Sequence, residues 1–472
     1  MSDEKPPKGQ KPSIARLKTG SFERNFALAR LGVGAGAKIA VHSLGNIFRG
    51  EVSKSEADRD FYKAQAQVLA DELGQLKGSV MKAGQMLAMF GDYFMPHEAV
   101  EVLGQLQDDT PPVAWSQVAT QLRSSVGAAA LAELDIDEKP LAAASLGQAH
   151  RARRKRDGLE VVVKIQYPGV ANAIGSDIKT LSRLLIASRL TPKNLDLAPI
   201  FEEVREMLVG ECDYAQEAVY TETFAQRLAG DSRFVVPRVL REYSGARVLT
   251  TSYEQGVAVS DASVRALPQA RRDRLGMGFV ELFLTEFFGW GLVQTDPHFG
   301  NYRVRIDPDG NDRIVLLDFG ATRVFPRRFI ADYSEIVAGA LAQDQTRIRR
   351  GAKAIGLIGD DFPESALDAF AAMCERIVEP FDPPRAPAGL RTAEGNYRFA
   401  ASDLPMRVSQ IAARNALTRS FRLPPRELVF LHRRLGGVYI ALATLAAELN
   451  LRELLQRALD DASAPPKDRA GK

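Results

Sequence analysis

Only two cysteines, Cys212 and Cys374, occur in 472 residues. Two thiols cannot build a disulfide framework or a four-thiolate metal site, and their scarcity fits a reducing compartment. The five histidines, His42, His97, His150, His298 and His432, are scattered without the spacing of zinc ligands. Net charge is small. The 62 Lys+Arg and 59 Asp+Glu leave +3, which argues against a dedicated nucleic-acid binder. Long apolar runs are also missing. The stretch 277–293 is interrupted by Glu281 and Glu286, and the stretch 435–449 falls short of the roughly 20 residues a spanning helix needs. No apolar signal core follows Met1, and Asp3 and Glu4 are unlike an acid-poor transit peptide. The expectation is a cytoplasmic protein whose membrane contact, if any, is peripheral. What remains is 45% hydrophobic, which excludes disorder as the main state. The length permits about three domains or one large two-lobed body.

Five segments follow from composition. Residues 1–50 join a basic tail (Lys5, Lys8, Lys11, Arg16, Lys18) to an apolar, glycine-bearing stretch suited to membrane or partner contact. Gly32, Gly34 and Gly36 there lack the strand and downstream acid of a dinucleotide loop. Residues 51–139 read as a helical extension, with Val68, Leu69, Leu73, Leu76 and Val80 at helical spacing and a helix over 115–134. Residues 140–255 bring strands: a small-residue loop Ala142-Ala143-Ala144-Ser145, an Asp157-Gly158 turn, a β-branched strand over 160–166 and a short strand pair over 247–253. A single acidic helix is expected over 201–219. Residues 256–460 read as mostly helical, broken by a strand–turn–strand unit over 302–317, and 461–472 as a disordered tail. There are no internal repeats.

The chemistry-bearing residues come in a fixed order. Lys164 ends the β-branched strand about 20 residues after the small-residue loop, which suits an ammonium facing phosphate. The 201–219 stretch offers Glu211, Asp213 and Glu217 as carboxylates to hold that lysine. Gln294-Thr295-Asp296-Pro297-His298-Phe299-Gly300-Asn301 places Asp296 five residues before Asn301. Asp318-Phe319-Gly320 follows an apolar strand. Loop, lysine, helix carboxylate, Asp…Asn and Asp-Phe-Gly in this order form the kinase arrangement for ATP and Mg²⁺. Asp296 faces the acceptor, and Asn301 and Asp318 are the candidate Mg²⁺ ligands. Two kinase features are absent. No Ala-Pro-Glu occurs anywhere, and the phosphate loop carries alanine where glycine is usual.

With Lys82-Ala83-Gly84-Gln85, Glu211-Cys212-Asp213 and Leu431-His432-Arg433-Arg434-Leu435-Gly436-Gly437, the chain resembles the UbiB (AarF, ADCK) family of atypical protein-kinase-like proteins. The resemblance runs from about residue 31 to the helix after Gly437. It implies an α+β, two-lobed protein-kinase-like fold: a small antiparallel-sheet N-lobe, a helical C-lobe and an N-terminal helical extension. It implies that Lys82 and Gln85 reach Glu211 and Asp213 and close the peptide-entry side. Glu217 is then expected to partner Lys164, although the residues alone do not separate this from a Lys164–Glu211 pair. The implied activity is MgATP-dependent ATPase, or phosphoryl transfer to a small molecule, in support of ubiquinone (coenzyme Q) biosynthesis. The implied partners are a quinone-precursor-like lipid or phenol, an anionic membrane surface at the inner membrane and the quinone-biosynthesis enzymes. A homodimer through the segment 31–49 is an open option. Two alternatives stand beside this reading. One is a nucleotide-sensing scaffold with negligible turnover. The other is a protein kinase, against which the missing Ala-Pro-Glu counts.

Overall fold

The computed structural model describes residues 51–76, 78–91, 95, 97–104, 112–188, 190, 196–408 and 424–463. The basic tail and the glycine-bearing stretch before residue 51 lie outside them, as does everything after Ser463. The chain forms two compact units. Unit 1 takes the described residues up to Glu222 plus Arg238–Tyr253, and unit 2 takes Thr223–Pro237 plus the described residues from Glu254.

Unit 1 opens with helices α1 (Glu51–Leu76), α2 (Gly78–Gly91), α3 (His97–Gly104) and α4 (Trp115–Val126). Strands β1 (Leu134–Ala143), β2 (Gly147–Arg154) and β3 (Glu160–Gln166) follow, then helices α5 (Val170–Ser188), α6 (Ala198–Glu211) and α7 (Tyr214–Arg227). After β4 (Phe234–Val235), which belongs to unit 2, β5 (Val248–Ser252) completes an antiparallel sheet in the order β1-β2-β3-β5. The sheet forms where strand chemistry is strongest. In β3 the side chains of Val161, Val163 and Ile165 are all fully buried, so period-two alternation sends Val162 and Lys164 to the opposite face. Gly158, at φ +72°, closes the β2–β3 turn, and Asp157 is bound by Arg154 at 2.6 Å. Lys82 lies on α2, which packs against α5 and α6.

Three local expectations change. The helix over 115–134 is broken at Gly127 (φ +87°) into Trp115–Val126 and a short second helix over Ala128–Ala132, and β1 begins at Leu134, so the sheet starts before Pro140. Pro140 is tolerated because β1 is an edge strand with register irregularities around it. The strand pair over 247–253 is one strand, β5, whose partner is the distant β3. The helix over 201–219 is two helices broken at Cys212-Asp213. Asp213 Oδ1 accepts the Gln216 amide at 2.9 Å, capping α7.

A fully buried histidine ties the chain before α4 to the sheet. His150 Nδ1–H donates to the Asp137 carbonyl (2.7 Å), and its Nε2 accepts the Gln148 amide (2.9 Å). Gln148 in turn pairs both ways with the Val113 main chain (2.9 and 3.2 Å). Burial holds the His150 pKa below the ordinary 6.5, with the Asp137 carbonyl opposing. A depressed histidine contributes stability that is intact above the unfolded-state pKa and lost as pH falls through the lower folded value. The melting temperature is therefore expected to drop on acidification below about pH 6.5, and His150→Gln to flatten that slope. An identical slope in the variant would exclude His150 as its source.

Unit 2 contains α8 (Gln269–Leu284), a π-helical turn (Thr285–Trp290), and strands β6 (Leu292–Gln294), β7 (Tyr302–Arg305), β8 (Arg313–Leu316) and β9 (Thr322–Val324). Helices α9 (Arg327–Ala342), α10 (Gln345–Ala354) and α11 (Glu364–Ile377) follow, then β10 (Tyr397–Arg398), α12 (Arg426–Thr444), β11 (Glu448–Leu449) and α13 (Arg452–Ser463). The strand–turn–strand unit is β7–β8, and β4 adds to β8 in parallel. β9 leads within three residues into α9. Phe287 lies among the rings of Phe288, Phe325 and Tyr333 in the core. The architecture is the expected α+β: a small antiparallel sheet and a largely helical remainder. Among the described residues no helix is long and apolar enough to cross a membrane.

Candidate functional site

In unit 1, Lys164 leaves the polar face of β3. Its Nζ donates to both Glu217 oxygens, at 2.8 and 2.9 Å. The Glu217 side chain is 3% exposed and that of Lys164 30%, so the carboxylate is the buried partner. The Tyr214 ring flanks the ammonium, 4.9 Å from centroid to Nζ. Lys82 pairs instead with Glu211, at 3.4 Å. The two lysines are thus assigned to different carboxylates, and Lys164 goes with Glu217. Asp213 caps α7, and Gln85 is half-buried one turn after Lys82 on α2. Cys212 is buried, which pushes its thiol up to about 12 with Glu211 adding to the effect, so it stays a thiol.

The small-residue loop is shorter than its sequence suggests. Ala142 and Ala143 are paired in β1 with Ala149 and Gln148, leaving Ala144, Ser145 and Leu146 as the turn. Ser145 is buried, and Ala144 N donates to Gly147 O at 2.9 Å. No residue of this turn has positive φ, so alanine meets no strain there. Gly147 is the position that must lack a side chain. A Cβ would lie 2.6 Å from Ile165 O and 2.7 Å from the Tyr214 hydroxyl.

In unit 2, β6 delivers the chain to Asp296. Asn301 Nδ2 donates to Asp296 Oδ2 at 2.9 Å and to its carbonyl at 3.2 Å. Arg433 Nη2 donates to the other carboxylate oxygen at 2.7 Å. A main-chain bond from Leu317 N to Asn301 O, 2.9 Å, brings the Asp318 segment beside the loop. Asp318 Oδ1 accepts Gly320 N at 2.9 Å, and Thr295 holds Ala321 O through its amide and its hydroxyl. His298 Nδ1 accepts Gly300 N at 3.0 Å, a local turn contact.

Arg433 and its neighbours on α12 carry more of this site than their sequence position suggested. Arg434 and Glu286 are both fully buried and pair at 3.4 Å, and Arg434 also donates to the Tyr302 hydroxyl. Burial lifts the Glu286 carboxyl to about 7, with Arg434 the main opposing influence. Arg323, just after Asp-Phe-Gly, stacks 3.6 Å above the Phe430 ring. Gly437 lies against Pro297, where a Cβ would come within 1.9 Å of the proline Cβ. The only sequence signal for these contacts was the Leu431–Gly437 motif itself. Nothing local connects it to a loop more than 130 residues upstream.

The donor set fits a magnesium ion brought in with phosphate. Asn301 spends its amide nitrogen on Asp296, so its carbonyl oxygen is the group left for a cation, and Asp318 adds a carboxylate. Such hard oxygens suit Mg²⁺, which keeps waters and phosphate oxygens as its other ligands. Among the described residues no group of three His, Cys, Asp or Glu forms a self-sufficient metal cage.

The family model for the ABC1 atypical kinase-like domain matches residues 105–352. "Atypical kinase COQ8, mitochondrial" of Schizosaccharomyces pombe is 31% identical over 85% of this chain and 64% of its own length. "Atypical kinase coq-8, mitochondrial" of Caenorhabditis elegans is 33% identical over 82% of this chain and 50% of its own. "Atypical kinase COQ8B, mitochondrial" of Rattus norvegicus is 30% identical over 90% and 77%. This chain therefore spans half to two thirds of the fission yeast and nematode proteins. The solved complex of Rv3197 with erythromycin from Mycobacterium tuberculosis superposes with TM-score 0.58 at 26% identity, over 87% of this chain and 100% of that one. The chain belongs to the ABC1 atypical kinase-like family, the group also called UbiB, AarF or ADCK.

Proposed function

We propose that the chain binds MgATP and either hydrolyses it or passes its phosphoryl group to a small hydroxyl compound, in support of ubiquinone synthesis at a membrane surface. The observation that carries this reading is the Lys164–Glu217 ion pair at 2.8 Å, the strand lysine and helix carboxylate that a kinase site requires. In this reading the turn after β1, with Ala142, Ala143, Ala144 and Ser145, lies over the phosphates and Lys164 neutralises their charge. Asn301 and Asp318 hold Mg²⁺, which supplies further charge neutralisation at the phosphates. Asp296 orients the acceptor hydroxyl or takes its proton. Lys82, Gln85, Glu211 and Asp213 form the family's own addition, on the side where a peptide would enter. The ubiquinone assignment is taken from the COQ8 relatives. Membrane contact is peripheral, and quinone-precursor-like phenols and the enzymes that modify them are the expected partners.

The test is phosphate release from MgATP by the full chain, with and without anionic liposomes and a small phenol, against Asp318→Asn. Release is expected to rise with lipid and phenol and to fall at least about 100-fold in the variant, with the melting temperature unchanged. ATP binding without release would favour the scaffold reading. Peptide phosphorylation above the Asp318→Asn control would establish a protein kinase.

A further inference from the structure

We propose that Arg433 supplies the cation that faces the transferred phosphate, a role no residue of the Asp296–Asn301 loop can fill. The inference rests on the MgATP reading. Phosphoryl transfer needs fixed positive charge where the equatorial oxygens gather charge, beside the acceptor and not only at the metal. The loop Asp296-Pro297-His298-Phe299-Gly300-Asn301 contains neither lysine nor arginine, and His298 has its Nδ1 turned to Gly300 N. The guanidinium found at Asp296 comes from α12. Arg433 donates to one carboxylate oxygen at 2.7 Å, and its side chain is 33% exposed, so a ligand can reach it. A guanidinium has five N–H donors in one plane. One of them on Asp296 leaves the fork able to meet an oxygen of the group that the Asp296-oriented acceptor attacks.

The position of this arginine is fixed by its helix. Gly437 seats Pro297, Phe430 underlies Arg323, and Arg434 is held by Glu286 and Tyr302. These contacts hold the loop against the helix, so the charge is in place before the substrate arrives. This preorganisation gives a fixed charge its catalytic value.

A cation on the terminal phosphate separates ATP from ADP, whereas a residue that only orients Asp296 does not. The experiment titrates MgATP and MgADP calorimetrically into the wild-type chain, Arg433→Ala and Arg433→Lys, and measures phosphate release from each. The wild type is expected to favour MgATP by about tenfold, the value of one charge-assisted contact. Arg433→Ala should bind both nucleotides alike and lose phosphate release about 100-fold. Arg433→Lys should recover part of both. An Arg433→Ala protein that keeps the ATP preference, or keeps its phosphate release, overturns the inference. That result leaves the MgATP reading intact if Asp318→Asn still abolishes release. Absence of any nucleotide binding by the wild type overturns both. Melting curves of the variants check that the fold is retained.

Discussion

Alanine at position 437 should stop turnover, while alanine at position 436 should leave it untouched. A Cβ on Gly437 would stand 1.9 Å from the Pro297 Cβ, 2.9 Å from its Cγ and 3.2 Å from its Cα. The two contacts below 3 Å are essentially never made by real side chains, and both partners are stiff: one is helix backbone and the other a proline ring. The loop or the helix has to move by about 1 Å or more, a misplacement that costs on the order of 100-fold in rate at a catalytic centre. Overpacking of this kind also destabilises by roughly 1–3 kcal/mol. Gly436 is the internal control. It lies on the same helix, and a Cβ there meets nothing within 4 Å. Gly436→Ala should be neutral or stabilising by up to about 1 kcal/mol from helix propensity alone. Phosphate release and thermal melting of the two variants decide the matter. Equal behaviour would mean that the Pro297 contact does not position the loop.

The second large effect is an asymmetry within the Lys164–Glu217 pair. Glu217 is the buried member at 3% exposure, while Lys164 keeps 30% of its side chain in solvent. Removing the lysine takes from a buried carboxylate the ammonium that holds both of its oxygens. Removing the carboxylate charge touches a lysine that already keeps 30% of its side chain in solvent and has the Tyr214 ring beside it. Lys164→Met should therefore cost more stability than Glu217→Gln. Breaking a fully buried ion pair costs about 3–5 kcal/mol, and partial exposure of Lys164 reduces this to roughly 1–3 kcal/mol. Both variants should weaken MgATP binding by about tenfold or more, Lys164→Met the more strongly. Urea unfolding and nucleotide titration measure the two effects. A Glu217→Gln variant less stable than Lys164→Met would reverse the assignment of which charge depends on the other.

The parts of the site legible in the sequence were those held by short-range patterns. The β-branched run around Lys164, the five-residue interval from Asp296 to Asn301 and the apolar strand before Asp318 each carry local chemistry that survives without tertiary information. The break at Cys212-Asp213 was harder to see, because acidic residues on both sides continue a helical pattern and only the Asp213 cap interrupts it. The strand over 247–253 lacked a visible partner because β3 lies more than 80 residues earlier. Arg433 and Gly437 belong to a motif whose sequence alone names no task for them. An arginine pair on a helix resembles a solvated basic face, and the meaning of a helical glycine depends on what it touches. Here a side chain on one of the two would strike a proline in the loop, and on its neighbour would meet open space.

The path of the backbone has a consequence for how such a protein can change over time. The chain passes from unit 1 to unit 2 after Glu222, returns after Pro237 and leaves again after Tyr253. The short excursion carries β4, the parallel neighbour of β8. Neither unit is therefore one uninterrupted stretch of coding sequence. A crossover at any single point splits at least one of them, so neither can be duplicated or traded alone by simple exchange. The two units are therefore inherited together.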